Sequence, residues 1–140
     1  MNILVVGCGR VGAHLVRQLD EGGHDVAVLD DEVDSLKRLN EFDDYDFTGV
    51  GVVGVPIDVD ILRKAGIETC DAVAAVTDND NINIMVAQIA RDIFHVEHVV
   101  ARVADPARNK TFSQQFQLDT VCPTELTVQA ALNELTKEGM

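Results

Sequence analysis

Gly7-Cys8-Gly9-Arg10-Val11-Gly12 decides the fold. It follows directly on a short apolar run, Ile3-Leu4-Val5-Val6, and precedes a helical-looking stretch from Ala13 to Leu19. A second apolar run, Val26-Ala27-Val28-Leu29, ends on Asp30. The order is strand, glycine turn, helix, strand, with an acidic residue about 20 positions after the turn, which is the dinucleotide-binding fingerprint. Gly7 permits the tight turn, Gly9 leaves room for a pyrophosphate against the backbone, and Gly12 lets the helix pack close to the strand. The free N–H groups at the helix start favour phosphate oxygens, as does the helix dipole. Asp30 is placed to accept hydrogen bonds from adenosine ribose hydroxyls.

The rest of the chain repeats the alternation. Val33, Leu36 and Leu39 share one side of a helix from about Val33 to Asn40. A third strand lies within Asp46 to Val53, its edges blurred by Gly49 and Gly51, with Gly54 just beyond. Asp58 caps a short helix through Lys64, which Gly66 stops. Ala72 to Val76 is a buried fourth strand, followed by a helix from about Asn81 to Phe94. Its expected inner stripe is Ile82, Met85, Ile89 and Ile93. His98 to Val103 is strand five. Asp105-Pro106 opens a helix to about Gln115, Asp119 to Cys122 is strand six, and Pro123-Thr124 starts a last helix to about Lys137. Alternation of this kind implies parallel strands and right-handed crossovers. The expected fold is a Rossmann-type, doubly wound, parallel six-stranded sheet of order 3-2-1-4-5-6, with its ligand at the carboxyl ends of strands one and four.

Composition narrows the function. The 140 residues suit one domain, and 46% are hydrophobic, with no Trp and one Tyr. That is a Val, Ile, Leu and Ala core suited to buried parallel strands. No apolar stretch is long enough to span a bilayer and no signal peptide opens the chain, so the expected place is the cytoplasm. Three scattered cysteines make neither a disulfide framework nor a zinc site. The net charge of −13, from 24 acidic against 11 basic residues, argues against direct binding to nucleic acid or an anionic membrane. Only four residues are Lys, and such a surface suits a salt-rich cytoplasm. The acidic run from Glu41 to Asp46 reads as a solvated loop. His95 and His98 straddle a helix end, so they hold no shared face for a metal.

Thr77-Asp78-Asn79-Asp80 falls just past strand four, where Thr77 and the Asp78 N–H face the crevice and Asp and Asn also serve as caps. Asn83 reads as a plain helical position. Arg102, ending strand five, is a cation at the same edge. Arg10 lies inside the glycine loop, within reach of a phosphate. Cys8 reads as a small residue fitting the turn.

Taken together, the glycine loop, Asp30, Leu62-x-x-Ala65-Gly66-Ile67, Asp71-Ala72-Val73, the Thr77 to Asn83 segment, Ala101-Arg102-Val103 and Pro123 come in a recognisable order. The chain resembles the RCK or KTN domain (TrkA-N type) of Trk/Ktr potassium uptake systems and some potassium channels, over essentially all 140 residues. The resemblance implies binding of NAD(H) or of ATP, ADP or AMP without chemistry on them. It also implies dimers that assemble into rings beneath a potassium-translocating membrane subunit, peripheral to the inner face of the membrane. By the same resemblance, Gly7, Cys8, Gly9, Arg10 and Val11 hold the phosphates and Asp30 the ribose. Thr77 and Asp78 take the adenosine side, Arg102 takes the phosphate side, and the last helix crosses to a partner.

Two features depart from that pattern. Val55-Pro56-Ile57 follows Gly54 where the family often shows Gly-Asp-Ala-Thr, and the family's usual second ligand-binding domain does not appear before Met140. Residues 1–140 are expected to form one nucleotide-binding domain, either as a single-domain version or as part of a longer protein that carries the second domain. A nucleotide-linked redox sensor outside potassium transport is the alternative. An NAD-dependent oxidoreductase domain fits less well, because one nucleotide fold leaves no region to hold a substrate.

Overall fold

The computed structural model of the chain describes residues 1–137. The elements run β1 (Asn2–Val6), α1 (Arg10–Glu21), β2 (Asp25–Asp30), α2 (Val33–Leu36), β3 (Val50–Val53), α3 (Val59–Lys64), β4 (Ala72–Ala75), α4 (Asp80–Gln88), β5 (His98–Arg102), α5 (Pro106–Gln114), β6 (Asp119–Val121) and α6 (Pro123–Leu135). All strand pairs are parallel and the sheet order is β3-β2-β1-β4-β5-β6, as the alternation implies. None of the described helices is long and apolar enough to cross a membrane.

The period-two alternation of β1 splits its side chains between two cores. Ile3 and Val5 face the side covered by α1 and α2, where they pack with Ala13, Val16, Val26, Val28 and Leu39. Leu4 and Val6 face the opposite side, with Leu62, Ile67, Val73, Val86 and Ala90. Leu4, Val5 and Val6 are completely buried, each contributing about 1.5–3 kcal/mol of apolar burial. Helices α4 and α5 close the second face over β5 and β6, through Ile84, Ala87, Ala101, Val103 and Leu118. Right-handed crossovers account for this segregation: those left of β1 fall on one face and those right of it on the other.

Caps and stops fall where the local sequence places them. Asp58 Oδ1 accepts from the N–H groups of Asp60 and Ile61, and Gly66 ends that segment at φ 95°. Asp105 caps α5 with Pro106 in the first turn.

Two apolar stripes differ from expectation. In α4, Met85 is exposed and so is Ile93 beyond it; the buried stripe is Asn83, Val86, Ala87 and Ala90, with Ile84 beside it. Small residues let the helix lie close on the sheet, and Ile82 and Ile89 pack as its partly buried flanks. The helix also widens into a π turn at Ile89–Ile93, which shifts the phase of the pattern. In α2, Val33 is exposed at the first turn, whereas Leu36 packs partly buried and Leu39, in the 3-10 turn at Lys37–Asn40, is buried as the stripe implies.

One face is left open. On the α1 side of the sheet, right of β1, an apolar groove of about 310 Å³ runs between Leu15 and Leu19 of α1 and Ala72, Ala74 and Val100 of the strands. In chain order α6 is the element left to cover it. Instead, every residue from Thr124 to Lys137 is exposed.

Candidate nucleotide-binding crevice

The glycine loop joins β1 to α1. Gly7 turns the chain at φ 104°, and a Cβ there would lie 2.8 Å from Thr77 N, so no other residue fits. A Cβ on Gly12 would lie 1.8 Å from Gly7 O, so glycine alone lets the helix sit this close to the loop. Gly9 differs: a Cβ there would meet nothing within 4 Å. The protein's own packing does not require glycine at that position, and the space before it is open to a ligand.

The helix begins at Arg10, three residues earlier than the sequence suggests, so the loop is short. Gly7 N–H donates to Leu29 O at 2.7 Å, and Cys8 N–H donates to Asp30 Oδ2 at 2.8 Å. The next N–H groups, those of Gly9, Arg10 and Val11, have no partner among the described residues; the first helical bond runs from Ala13 N–H to Gly9 O at 2.9 Å. These donors stand at the positive end of α1, which makes them an anion site.

Asp30 ends β2 and is almost wholly buried. Its Oδ2 takes the Cys8 N–H and its Oδ1 takes Glu32 N–H at 2.9 Å. Both bonds orient the carboxylate and leave each oxygen a lone pair for a ribose hydroxyl. Cys8 is completely buried, and burial, followed by the charge of Asp30, pushes its thiol up to about 11. It is a packing residue that anchors Asp30, not a reactive thiolate.

Thr77 closes the crevice from β4 through a network that the sequence hides. Asn83 is completely buried in α4. Its Nδ2 donates to Thr77 O and Arg102 O, both at 2.9 Å. Its Oδ1 accepts from Thr77 N–H at 2.9 Å and from Thr77 Oγ1 at 2.6 Å. Arg102 Nη1 also donates to Thr77 O, at 3.0 Å. Asp80 accepts from the N–H groups of Ala104 and Asp105 at 2.9 and 3.0 Å, and Thr124 Oγ1, at the start of α6, donates to Ala104 O at 2.7 Å. Asn79, rather than Asp78, caps α4, through Ile82 N–H at 3.1 Å. Asp78 stays on the crevice wall.

The resulting crevice measures about 460 Å³ and brings Gly7, Gly9, Arg10, Asp30, Thr77 and Asp78 together. That is the size of a small-ligand site. Val11 is exposed on the first turn of α1, off the wall. Arg102 stands behind Thr77 and is not a lining residue; its Nε is buried without a partner among the described residues. The fold adds wall residues absent from the sequence reading: Asp31, Glu32, Ser35, Arg38, Pro56 and Ile82. Asn83 had no distinguishing signal: Asn81, with Ile84 and Met85 at i+3 and i+4, has the same pattern and is exposed. Arg38 and Pro56 had none, because only the crossovers bring their loops to this edge.

Comparison with known proteins places the chain in a family and a fold. The TrkA-N domain model matches residues 3–123. The Trk system potassium uptake protein TrkA of Streptomyces coelicolor is 42% identical over 139 residues, covering 99% of this chain and 60% of the relative. The chain thus spans well under two thirds of that protein's length. Among solved structures, the Kef C-terminal domain of Shewanella denitrificans in AMP-bound form superposes with a TM-score of 0.78 at 18% identity, covering 100% of this chain and 83% of that one. The GsuK channel bound to NAD superposes with a TM-score of 0.68 at 21% identity, covering 87% of this chain and 21% of the channel. At these identities the two structures establish a shared fold. The family model, matched over most of the chain, establishes more: the chain belongs to the TrkA-N domain family.

Proposed function

We propose that this chain is the nucleotide-sensing part of a potassium uptake regulator: it binds NAD(H) or an adenine nucleotide and passes the binding state to a potassium-translocating membrane subunit. The observation that carries the reading is the Asp30 carboxylate, fixed by Cys8 and Glu32 N–H groups beside a glycine loop with open N–H donors. In this reading the open N–H groups of Gly9, Arg10 and Val11 take the phosphates on a turn shaped by Gly7 and Gly12, Cys8 fixes Asp30, and Asp30 takes the ribose. Thr77 and Asp78 border the adenosine, and Arg102 supports the phosphate side from behind Thr77. A Kef domain carrying AMP and a GsuK channel carrying NAD share the fold, and the Streptomyces relative is named for potassium uptake. Those names support a ligand-binding regulator rather than an enzyme, held at the inner face of the membrane by its partner.

The same reading covers residues 1–140 as one nucleotide-binding domain. It assigns α6 to a second copy, lying in that copy's groove between α1 and β4–β5 to form a symmetric dimer within a larger ring. The support is a match of unmet surfaces. Val128, Ala131, Leu132 and Leu135 form an exposed stripe, and the groove lacks the cover its place in the fold calls for. The test is mass spectrometry of nucleotide released from purified protein. Recovered NAD(H), ADP or AMP supports the proposal. Turnover of NADH that requires an intact crevice would replace the regulator with an oxidoreductase.

A further inference from the structure

The distribution of positive charge singles out one more residue. Six of the basic side chains, Arg17, Lys37, Arg63, Arg91, Arg108 and Lys137, lie within 4.0 Å of a carboxylate. Among the described residues the five without such a partner are Arg10, Arg38, Lys64, Arg102 and Lys110. In a chain with 24 acidic and 11 basic residues, an unpaired arginine beside acids needs a reason. Arg10 and Arg38 both line the crevice, alongside Asp30, Asp31 and Glu32, yet neither pairs with them. The adjacent Lys37 does pair, with Asp34 at 3.1 Å.

Arg38 is also held in place. It belongs to the 3-10 turn Lys37–Asn40, whose neighbouring Leu39 is buried in the core against α1 and β2. Ser35, one turn earlier, lines the same wall. The Arg38 charge reaches the glycine loop, where it opposes the upward push of burial and Asp30 on the Cys8 thiol. Arg38 thus lines the crevice from the α2 side, and Arg10 lines the same crevice from the first turn of α1.

We infer that Arg38 is a second phosphate-binding cation, acting with Arg10 on the outer phosphate of a ligand that carries at least two. Guanidinium groups bind phosphate oxygens through paired N–H donors, and a pair of them on an outer phosphate has no group to hold in a nucleoside monophosphate. The inference rests on the nucleotide reading above and refines it: the site takes dinucleotides and nucleoside di- or triphosphates in preference to AMP.

Calorimetric titration of the wild type, Arg38→Gln, Arg38→Lys and Lys110→Gln with AMP, ADP, NADH and NADPH tests it. The wild type is expected to bind ADP and NADH more tightly than AMP. Arg38→Gln should weaken ADP and NADH about tenfold, the loss of one charge-assisted contact, and AMP by less than about threefold. Arg38→Lys should restore part of the loss, and Lys110→Gln, which changes net charge equally on exposed α5, should change nothing. Equal weakening of AMP and ADP would reduce Arg38 to a distant field and overturn the inference, as would unchanged ADP binding. A loss confined to NADPH would place Arg38 at a ribose 2′-phosphate and overturn it too. Failure of the wild type to bind any of the four overturns the nucleotide reading itself, a result distinct from wild-type binding that Arg38→Gln leaves intact.

Discussion

Helices α4 and α6 invert the usual rule in opposite ways. Helix α4 buries an amide, Asn83, completely, and exposes Met85. Helix α6 exposes Leu126, Val128, Leu132 and Leu135 and buries nothing. Each inversion has a cause that hydrophobicity alone does not supply. Asn83 is inside because four polar groups, on Thr77 and Arg102, need partners there, and a buried amide with all its bonds made is stable. The leucines of α6 are outside because nothing within the described residues meets them, and on our proposal a second copy does. A helix is thus read by who supplies its partners: the same chain for α4, and on our proposal a second copy for α6.

Breaking α4 should have the largest effect. Asn83→Asp sets a carboxylate against the Thr77 and Arg102 carbonyls in a dry site, and should destabilise the fold by more than about 3 kcal/mol. Asn83→Ala leaves Thr77 N–H and Arg102 O unpaired and should cost about 2–3 kcal/mol. Urea denaturation at fixed protein concentration reads both through the midpoint at constant slope. If Asn83→Asp folds as well as the wild type, the network is not the anchor described.

Asp30→Ala acts at the crevice that α4 supports. It should weaken every ribose-bearing ligand by about 1.5–3 kcal/mol, the range for a charged hydrogen bond. Equilibrium dialysis with ADP checks this; unchanged affinity would remove the ribose from Asp30.

Breaking α6 should leave folding nearly untouched and change assembly. Leu132→Asp with Leu135→Asp should alter monomer stability by no more than about 0.5 kcal/mol, the norm for exposed positions. Sedimentation should show the wild type as a dimer at micromolar concentration and the double variant as a monomer. A monomeric wild type, or a folded and dimeric variant, removes α6 as the dimer element.

The smallest effect sharpens the contrast with a polar anchor at the surface. Asp20 of α1 accepts from Thr48 Oγ1 at 2.7 Å and Tyr45 Oη at 2.8 Å. Burial is the largest single influence and pushes its carboxyl up, but the bonds from Thr48 and Tyr45 together outweigh it and hold the carboxyl below its ordinary value of 3.8. The folded state therefore binds this proton less readily than the unfolded one. The stability it adds is present above about pH 4 and is lost as pH falls through the lowered value. Melting curves of the wild type and Asp20→Asn should converge below that pH; a constant gap down to strong acid would contradict the assignment.

The legible and illegible parts of the sequence divide along the same line. The glycine loop, Asp30, Asp58 and Asp105 act on residues within one or two turns, so their roles can be read from spacing. The apolar runs of β1, β2 and β4 are short and bounded, so the strands are legible, and their alternation with helices after the glycine fingerprint implies the strand order. The stripes fail at Met85 and Val33, inside the regular turns of α4 and α2, and at Ile93, at the end of the π turn. The crevice fails to show where distant loops meet: Arg38 comes from beyond β2, Pro56 from beyond β3, and the Asn83 bonds link β4 to β5.

The central claim is that the crevice holds an adenine nucleotide by its ribose on Asp30 and its phosphates on the glycine loop. The most direct measurement is a titration of the wild type with NADH and NADPH under identical conditions. The account predicts saturable, one-to-one binding of NADH and much weaker binding of NADPH, because the Asp30 carboxylate accepts from a 2′-hydroxyl and repels a 2′-phosphate. Tighter binding of NADPH, or no binding of either, would contradict it.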